Sequence, residues 1–179
     1  ENKDVFFLVR PPQISDTKIV EKLINEAVKK GVKKIIFLSV QGAEKNKIIP
    51  HHKIEKLILT FDVDHIFIRP SYFMQNLTDN LLEDIQKNSE IVLPAKRSKF
   101  NWIDVSDIGY FTAYAINDFK KLKNDAYVIT GYENLDFYVI ADKISEITGR
   151  QIIYNRKNPF GFFIYKKRKG ANIAMVLVM

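Results

Sequence analysis

Ile35-Ile36-Phe37-Leu38, followed at once by Ser39-Val40-Gln41-Gly42, is an apolar run closed by a cluster of polar and turn-forming residues. A run without a polar face fits a strand buried on both sides, and the cluster marks where that strand leaves the core. The same unit stands upstream, as Val5-Phe6-Phe7-Leu8-Val9 before Arg10-Pro11-Pro12, and downstream, as His65-Ile66-Phe67-Ile68 before Arg69-Pro70-Ser71. Helical spacing fills the gaps between the runs. Ile19, Val20, Leu23, Ile24, Ala27 and Val28 follow candidate caps Ser15 and Asp16 and precede Gly31, while Ile54, Leu57 and Ile58 lie on one side of a helix near 51–61. Strand, helix, strand, helix, strand is the pattern of two right-handed crossovers in a parallel sheet. In such sheets ligands bind beyond the carboxyl ends of the strands, so the three polar clusters converge on one site.

The pattern continues toward the C-terminus. It predicts a helix around 72–87, a short strand at Ile91–Leu93, an extended piece Phe100–Ile103 and a helix from Asp104 or Ser106 to about Asn117. A strand from Ala126 to Thr130, ended by Gly131, and a helix from Asp136 to Thr148, stopped by Gly149, complete it. The expectation is one α/β unit over 1–179, with 1–70 as a central βαβαβ and 71–179 supplying the remaining strands, helices and C-terminal region. The chain starts just before a strand without Met and finishes in the apolar run Ala174–Met179, which reads as a piece cut at both ends.

Composition narrows the function classes. At 179 residues with 46% hydrophobic and 12% aromatic residues, the chain is long and apolar enough for a packed core. No stretch reaches the roughly 18 apolar residues of a membrane span, and a cytoplasmic location is the default. The absence of cysteine removes disulfides, thiolate catalysis and the usual structural zinc sites. The whole net charge of +7 falls from Arg150 onward, in a stretch with no Asp or Glu. There, Lys166-Lys167-Arg168-Lys169 beside Phe160, Phe162, Phe163 and Tyr165 suits either a solvated turn or an anionic surface such as membrane or nucleic acid, the turn being preferred.

The runs VFFLVRPPQISD, VKKIIFLSVQGAEKNKIIPHHKIEKLI, FIRPSYFMQNL, FNWIDVSDIG and AYVITGYENLDFYVIADKISEITGR, in that order and spacing, resemble the NmrA-like family of atypical short-chain dehydrogenase/reductases. The resemblance implies a Rossmann-like doubly wound parallel sheet that binds NADP or NAD, with a small C-terminal substrate-side region. It also implies a glycine-rich dinucleotide turn upstream. The seven glycines here, at 31, 42, 109, 131, 149, 161 and 170, form no G-x-x-G anywhere.

The same resemblance assigns candidate residues. Lys53 matches the superfamily lysine that holds the cofactor ribose and lowers the pKa of a tyrosine four residues earlier. Here that earlier residue is Ile49, which has no proton to give. His51 and His52 are candidate replacement acids, of which at most one faces the pocket; His52 with Lys53 and Ser39 makes the catalytic set. Ser39, Val40, Gln41 and Gly42 follow the second strand where the superfamily's catalytic Ser and nicotinamide-contacting backbone lie, although Ser39 bonded to its own turn explains it equally well. Arg10, Pro11 and Pro12 resemble the loop beside the adenosine end of the cofactor. Pro70, Ser71, Tyr72, Phe73 and Asn76 resemble the loop over the nicotinamide, with Tyr72 and Phe73 equally suited to a core. Asp104 and Asp107 have the spacing of an acid/base pair but stand at a helix start, where capping is expected. No residue set has metal-ligand spacing. The implied function is an NAD(P)H-dependent reductase of a small carbonyl or quinone-like substrate, alternatively a non-catalytic NAD(P) sensor that regulates a protein partner. A homodimer is compatible with either reading, and nucleic acid ranks below both.

Overall fold

The computed structural model describes residues 4–12, 14 and 16–170. In chain order the elements are β1 (Val5–Val9), α1 (Thr17–Lys29), β2 (Lys34–Leu38), α2 (Pro50–Ile58), β3 (Asp64–Pro70), β4 (Tyr72–Phe73), a single 3-10 turn (Met74–Leu77), α3 (Leu82–Asn88) and β5 (Glu90–Leu93). There follow β6 (Phe100–Ile103), α4 (Val105–Asn117), α5 (Phe119–Leu122), β7 (Asp125–Ile129), β8 (Asn134–Leu135), α6 (Phe137–Thr148), β9 (Ile153–Arg156) and α7 (Pro159–Arg168). They divide into two compact units, residues 1–71 with 106–129 and residues 72–105 with 130–179.

The first unit is a parallel sheet in the order β1-β2-β3-β7. Leu8, Phe37 and Phe67 share one register row and point to the face covered by Val20 and Ile24 of α1 and Ile54 and Ile58 of α2. Ile36, Ile66 and Ile68 point to the other face, against Ala115 of α4 and Phe119 of α5. Helices therefore cover both faces, and Ile35, Ile36 and Phe37 are wholly buried, which is why the strand carries no alternation. This is the doubly wound parallel sheet that the three apolar runs predict. Asp16 caps α1 by accepting from the Lys18 N–H at 2.9 Å. The other candidate cap, Ser15, lies outside the described residues, as does the run Ala174–Met179.

The second unit holds β4, β6 and β8 in one small sheet, with β5 paired in parallel to β9. Trp102 anchors its core. The ring stands 4.9 Å from Tyr72 and 5.2 Å from Phe137, both edge-on, and its indole N–H donates to the Leu135 carbonyl at 3.0 Å. Leu81, Ile91, Leu93, Ile140, Ile152 and Phe162 complete this core.

Two expectations need correction. The helix predicted around 72–87 is a two-residue strand, a 3-10 turn and the short α3. Tyr72 and Phe73 pair with Trp102 and Ile103, and the polar stretch Asn76 to Asn80 carries a turn in which Leu81 N–H donates to the Asn76 carbonyl at 3.0 Å. Sheet pairing wins over local helical spacing here. The basic cluster is likewise no solvated turn: Lys166, Lys167 and Arg168 are the last turn of α7, and Lys166 is 7% exposed. Its ammonium lies 3.8 Å from the buried Asp84 carboxylate, which also accepts from Tyr165 at 2.5 Å and from Lys169. A carboxylate inside α3 thus draws in the lysines that the sequence places on a surface.

Gly131 is fixed by close approach. A Cβ there would lie 1.6 Å from the Trp102 carbonyl oxygen. Gly131→Ala is expected to cost at least the roughly 1–3 kcal/mol of an overpacked site, read as a lower thermal midpoint and loss of Trp102 fluorescence burial.

Candidate functional site

Register alone brings the three polar clusters level. Val9 pairs with Leu38 and Leu38 with Ile68, so Arg10 and Ser39, just past their strands, stand level with Arg69, the last residue but one of β3. The ladder continues past the strand ends, with Ser39 N–H donating to the Ile68 carbonyl at 2.7 Å, Gln41 N–H to Pro70 at 2.9 Å and Ser71 N–H to Ile129 at 3.0 Å. These bonds hold the backbone at the carboxyl edge of the sheet.

A buried carboxylate ties the edge together. Glu55, 4% exposed on the inner side of α2, accepts the Ser39 hydroxyl at 2.5 Å and a two-point contact from Arg69, Nε at 2.9 Å and Nη2 at 2.7 Å. The remaining arm of Arg69 reaches Glu44 at 3.3 Å, and the Glu55 contact raises the Arg69 pKa. Ser39 therefore bonds to another element and not to its own turn. With its proton given to Glu55, Ser39 offers a ligand only its lone pairs. Residue patterning missed this network, although an acid beside Ile54 and Ile58 on a helix's inner side and an Arg closing an apolar strand were its visible signals.

The loop after Ser39 is held just as closely. Gly42 takes the left-handed φ of 82°, and its carbonyl accepts from the Lys45 and Asn46 N–H groups at 3.1 Å. The α2 N-terminus follows, with Pro50 in its first turn and Ile49 as a cap residue without a side-chain bond. His52 Nδ1 lies 2.7 Å from the Ala43 carbonyl, so that nitrogen carries the proton and Nε2 is left with the lone pair. His51 differs. Its ring stacks 6.0 Å from Phe37, and burial, reinforced by nearby Arg10, pushes its pKa down to about 4. Lys53 is exposed and makes no ion pair among the described residues.

Arg10 turns back on its own loop. One guanidinium arm donates to the carbonyls of Pro11, Pro12 and Ile14 at 3.1, 3.2 and 2.7 Å, and burial lowers its pKa. Val40 and Gln41 line the turn between Ser39 and Gly42, Gln41 exposed. In the second unit Tyr72 stands in the aromatic core, its pKa pushed up to about 12 by burial, with Asn76 as partner to its hydroxyl. Phe73 pairs with Ile103. Asp104 accepts from Gln75 Nε2 at 2.8 Å while Gln75 Oε1 accepts from the first N–H of α4, so the pair closes that helix start. Among the described residues no group of three or more His, Asp or Glu is placed to hold a metal ion, and no helix is long and apolar enough to cross a membrane.

A profile of the NmrA-like family matches residues 1–166. The chain belongs to the NmrA-like family. Among curated relatives, prestalk A differentiation protein A of Dictyostelium discoideum is 26% identical over 155 residues, covering 87% of this chain and 50% of the relative. Agroclavine dehydrogenase of Claviceps purpurea is 28% identical over 155 residues, covering 85% and 53%. This chain thus spans about half the length of the curated relatives it matches. The NADPH-dependent quinone oxidoreductase of Escherichia coli, solved with NADPH, superposes with a TM-score of 0.85 over 97% of this chain and 63% of that one. At 17% identity that likeness speaks to the fold, and it makes the sheet a Rossmann-type sheet.

Two outcomes follow for this NmrA-like chain. Glu55→Ala strips Arg69 of its two-point partner, leaving it the Glu44 contact, and is expected to cost about 1–3 kcal/mol in denaturant unfolding. His51, neutral when folded, takes up its proton in the unfolded chain near the ordinary value of 6.5 and in the folded one only near 4. Stability is therefore full above pH 6.5 and falls as the pH drops toward 4, by roughly 3 kcal/mol for this residue at 1.36 kcal/mol per pH unit. His65, also lowered by burial, acts in the same direction, so comparing wild type with His51→Phe in urea at neutral and acid pH isolates the His51 share.

Proposed function

We propose that this chain forms the ribose and nicotinamide side of an NAD(P)H-dependent reductase site for a small carbonyl or quinone-like substrate. The observation that carries this reading is a set of buried polar atoms without partners. Among the described residues Arg10 Nε, His51 Nδ1 and Ser71 Oγ are shut from solvent and unbonded. All three belong to the carboxyl edge of the first unit's sheet or to the helix that starts there, and groups of this kind are normally satisfied in native proteins. Together they supply a guanidinium N–H, an imidazole nitrogen and a hydroxyl, the set that a ribose or carboxamide would satisfy. The relatives' names, a dehydrogenase and an NADPH-dependent oxidoreductase among them, support the same class.

Bound there, the nicotinamide would supply the hydride. The chain's own part is binding and proton delivery. Lys53, an unpaired ammonium, would hold the ribose hydroxyls; His52, its ring oriented by the Ala43 carbonyl, would give a proton from Nε2 when charged. Ser39, fixed by Glu55, would accept a hydrogen bond and so orient the carboxamide. Apolar Ile49, at the position of the superfamily tyrosine, favours a second reading in which the site binds cofactor without turnover and reports to a protein partner.

Lacking a G-x-x-G turn, this chain alone is expected to bind NADPH more weakly than a polypeptide of its relatives' length that contains it, as calorimetry on both will show. In the longer protein Lys53→Ala should weaken NADPH binding about 10- to 150-fold, the equivalent of a charged hydrogen bond of about 1.5–3 kcal/mol. His52→Ala should retain binding yet lose NADPH oxidation with quinones. Tight binding with no oxidation of any quinone, aldehyde or enone would favour the sensor reading over the reductase.

A further inference from the structure

The second unit carries an electropositive edge that its core does not use. The stretches 91–103 and 147–170 contain no Asp or Glu. The structure places them side by side: β5 and β9 run parallel with Leu93 opposite Arg156, and Lys157 N–H donates to the Leu93 carbonyl at 3.3 Å. Both strands therefore end together, and the chain beyond them carries Lys96, Arg97 and Lys99 on one side and Arg156 and Lys157 on the other. The root of the 94–99 loop is fixed by Tyr154, whose hydroxyl accepts from Ala95 N–H and donates to the Leu93 carbonyl, each at 3.1 Å. A turn follows, closed by Ser98 N–H on the Ala95 carbonyl at 2.9 Å, and Lys96 takes the left-handed φ of 52° that few non-glycine residues adopt.

Two of these cations rest on aromatic rings, and one of those two also meets a carboxylate. The Arg97 guanidinium stacks 4.5 Å from the Tyr138 ring and lies 3.6 Å from Asp136, a carboxylate already committed to capping α6, yet the side chain is 77% exposed. Lys157 lies 5.5 Å over Tyr165. The Arg97 contact with Asp136 is the one ion pair these five cations make among the described residues.

We propose that this edge binds a phosphate-bearing small molecule through the pyrophosphate-type charge it presents. Strands in register stand about 4.8 Å apart, so the two basic segments leave them side by side, a spacing that suits two neighbouring phosphates and not a long polyanion track. The guanidinium of Arg97, pre-oriented by its ring contact, is the fork that takes phosphate oxygens two at a time. The inference stands apart from the reductase reading, because every residue in it belongs to the second unit.

Inorganic pyrophosphate titrated calorimetrically into the 179-residue chain tests it. Saturable binding is expected, weakened by added sodium chloride, and reduced at least about tenfold in Arg97→Ala/Arg156→Glu, as loss of charged hydrogen bonds predicts. Both residues are exposed, so an unchanged circular dichroism melt confirms that the variant folds. Lys120→Glu/Lys121→Glu, in the first unit, should leave binding intact. Equal affinity in the wild type and the Arg97/Arg156 variant, or no heat at all, overturns the proposal. A single-stranded oligonucleotide that binds more tightly than pyrophosphate and displaces it overturns it in favour of a nucleic-acid surface.

Discussion

The Glu55 carboxylate is the point on which the first unit's site depends. It lies in a helix that packs Ile54 and Ile58 into the core, and it joins that helix to the ends of two neighbouring strands through Ser39 and Arg69. A buried carboxylate is tolerable only when its lone pairs are used, and here the Ser39 hydroxyl and two guanidinium N–H groups use them. The consequence reaches chemistry directly. Ser39 becomes an acceptor toward any ligand, and the loop from Val40 to Ile49 is anchored at Glu44 as well as at Ala43.

From that anchor the helix start sorts three adjacent residues into different roles. His51 turns inward onto Phe37 and is kept neutral by burial. His52 turns to the Ala43 carbonyl, which fixes which nitrogen carries the proton. Lys53 faces water. A step of about 100° per residue around a helix separates them, so neighbours in sequence meet three different surroundings. The second unit applies the same principle to cations. Lys166 and Lys169 turn toward buried Asp84, whereas Arg97 and Arg156 remain at the surface.

How much of this was legible depends on the range over which each feature is decided. The buried strands showed as unbroken apolar runs, and α1 and α6 showed through Asp16, Asp136 and Gly149, because burial on both faces and capping are local. The level meeting of Arg10, Ser39 and Arg69 was also readable, since parallel strands put their polar exits at one edge. The piece from Tyr72 to Asn88 was not: its spacing is helical, and only Trp102 and Ile103, some thirty positions on, turn its start into a strand.

The amino-acid sequence by itself determined a parallel α/β sheet with helices on both faces, the edge at which its polar clusters gather, and the family resemblance carried by five ordered blocks. Tertiary structure alone decided which polar groups find one another. Ser39 meets Glu55 across 16 residues, Arg69 meets it across 14, and Lys169 meets Asp84 across 85. Hydropathy periodicity encodes which side of an element is buried, but a hydrogen bond needs two side chains within about 3 Å, and that distance is set by register and packing between elements. The same reason makes Gly131 necessary, since the carbonyl that leaves no room for a side chain belongs to Trp102, on a strand distant in sequence.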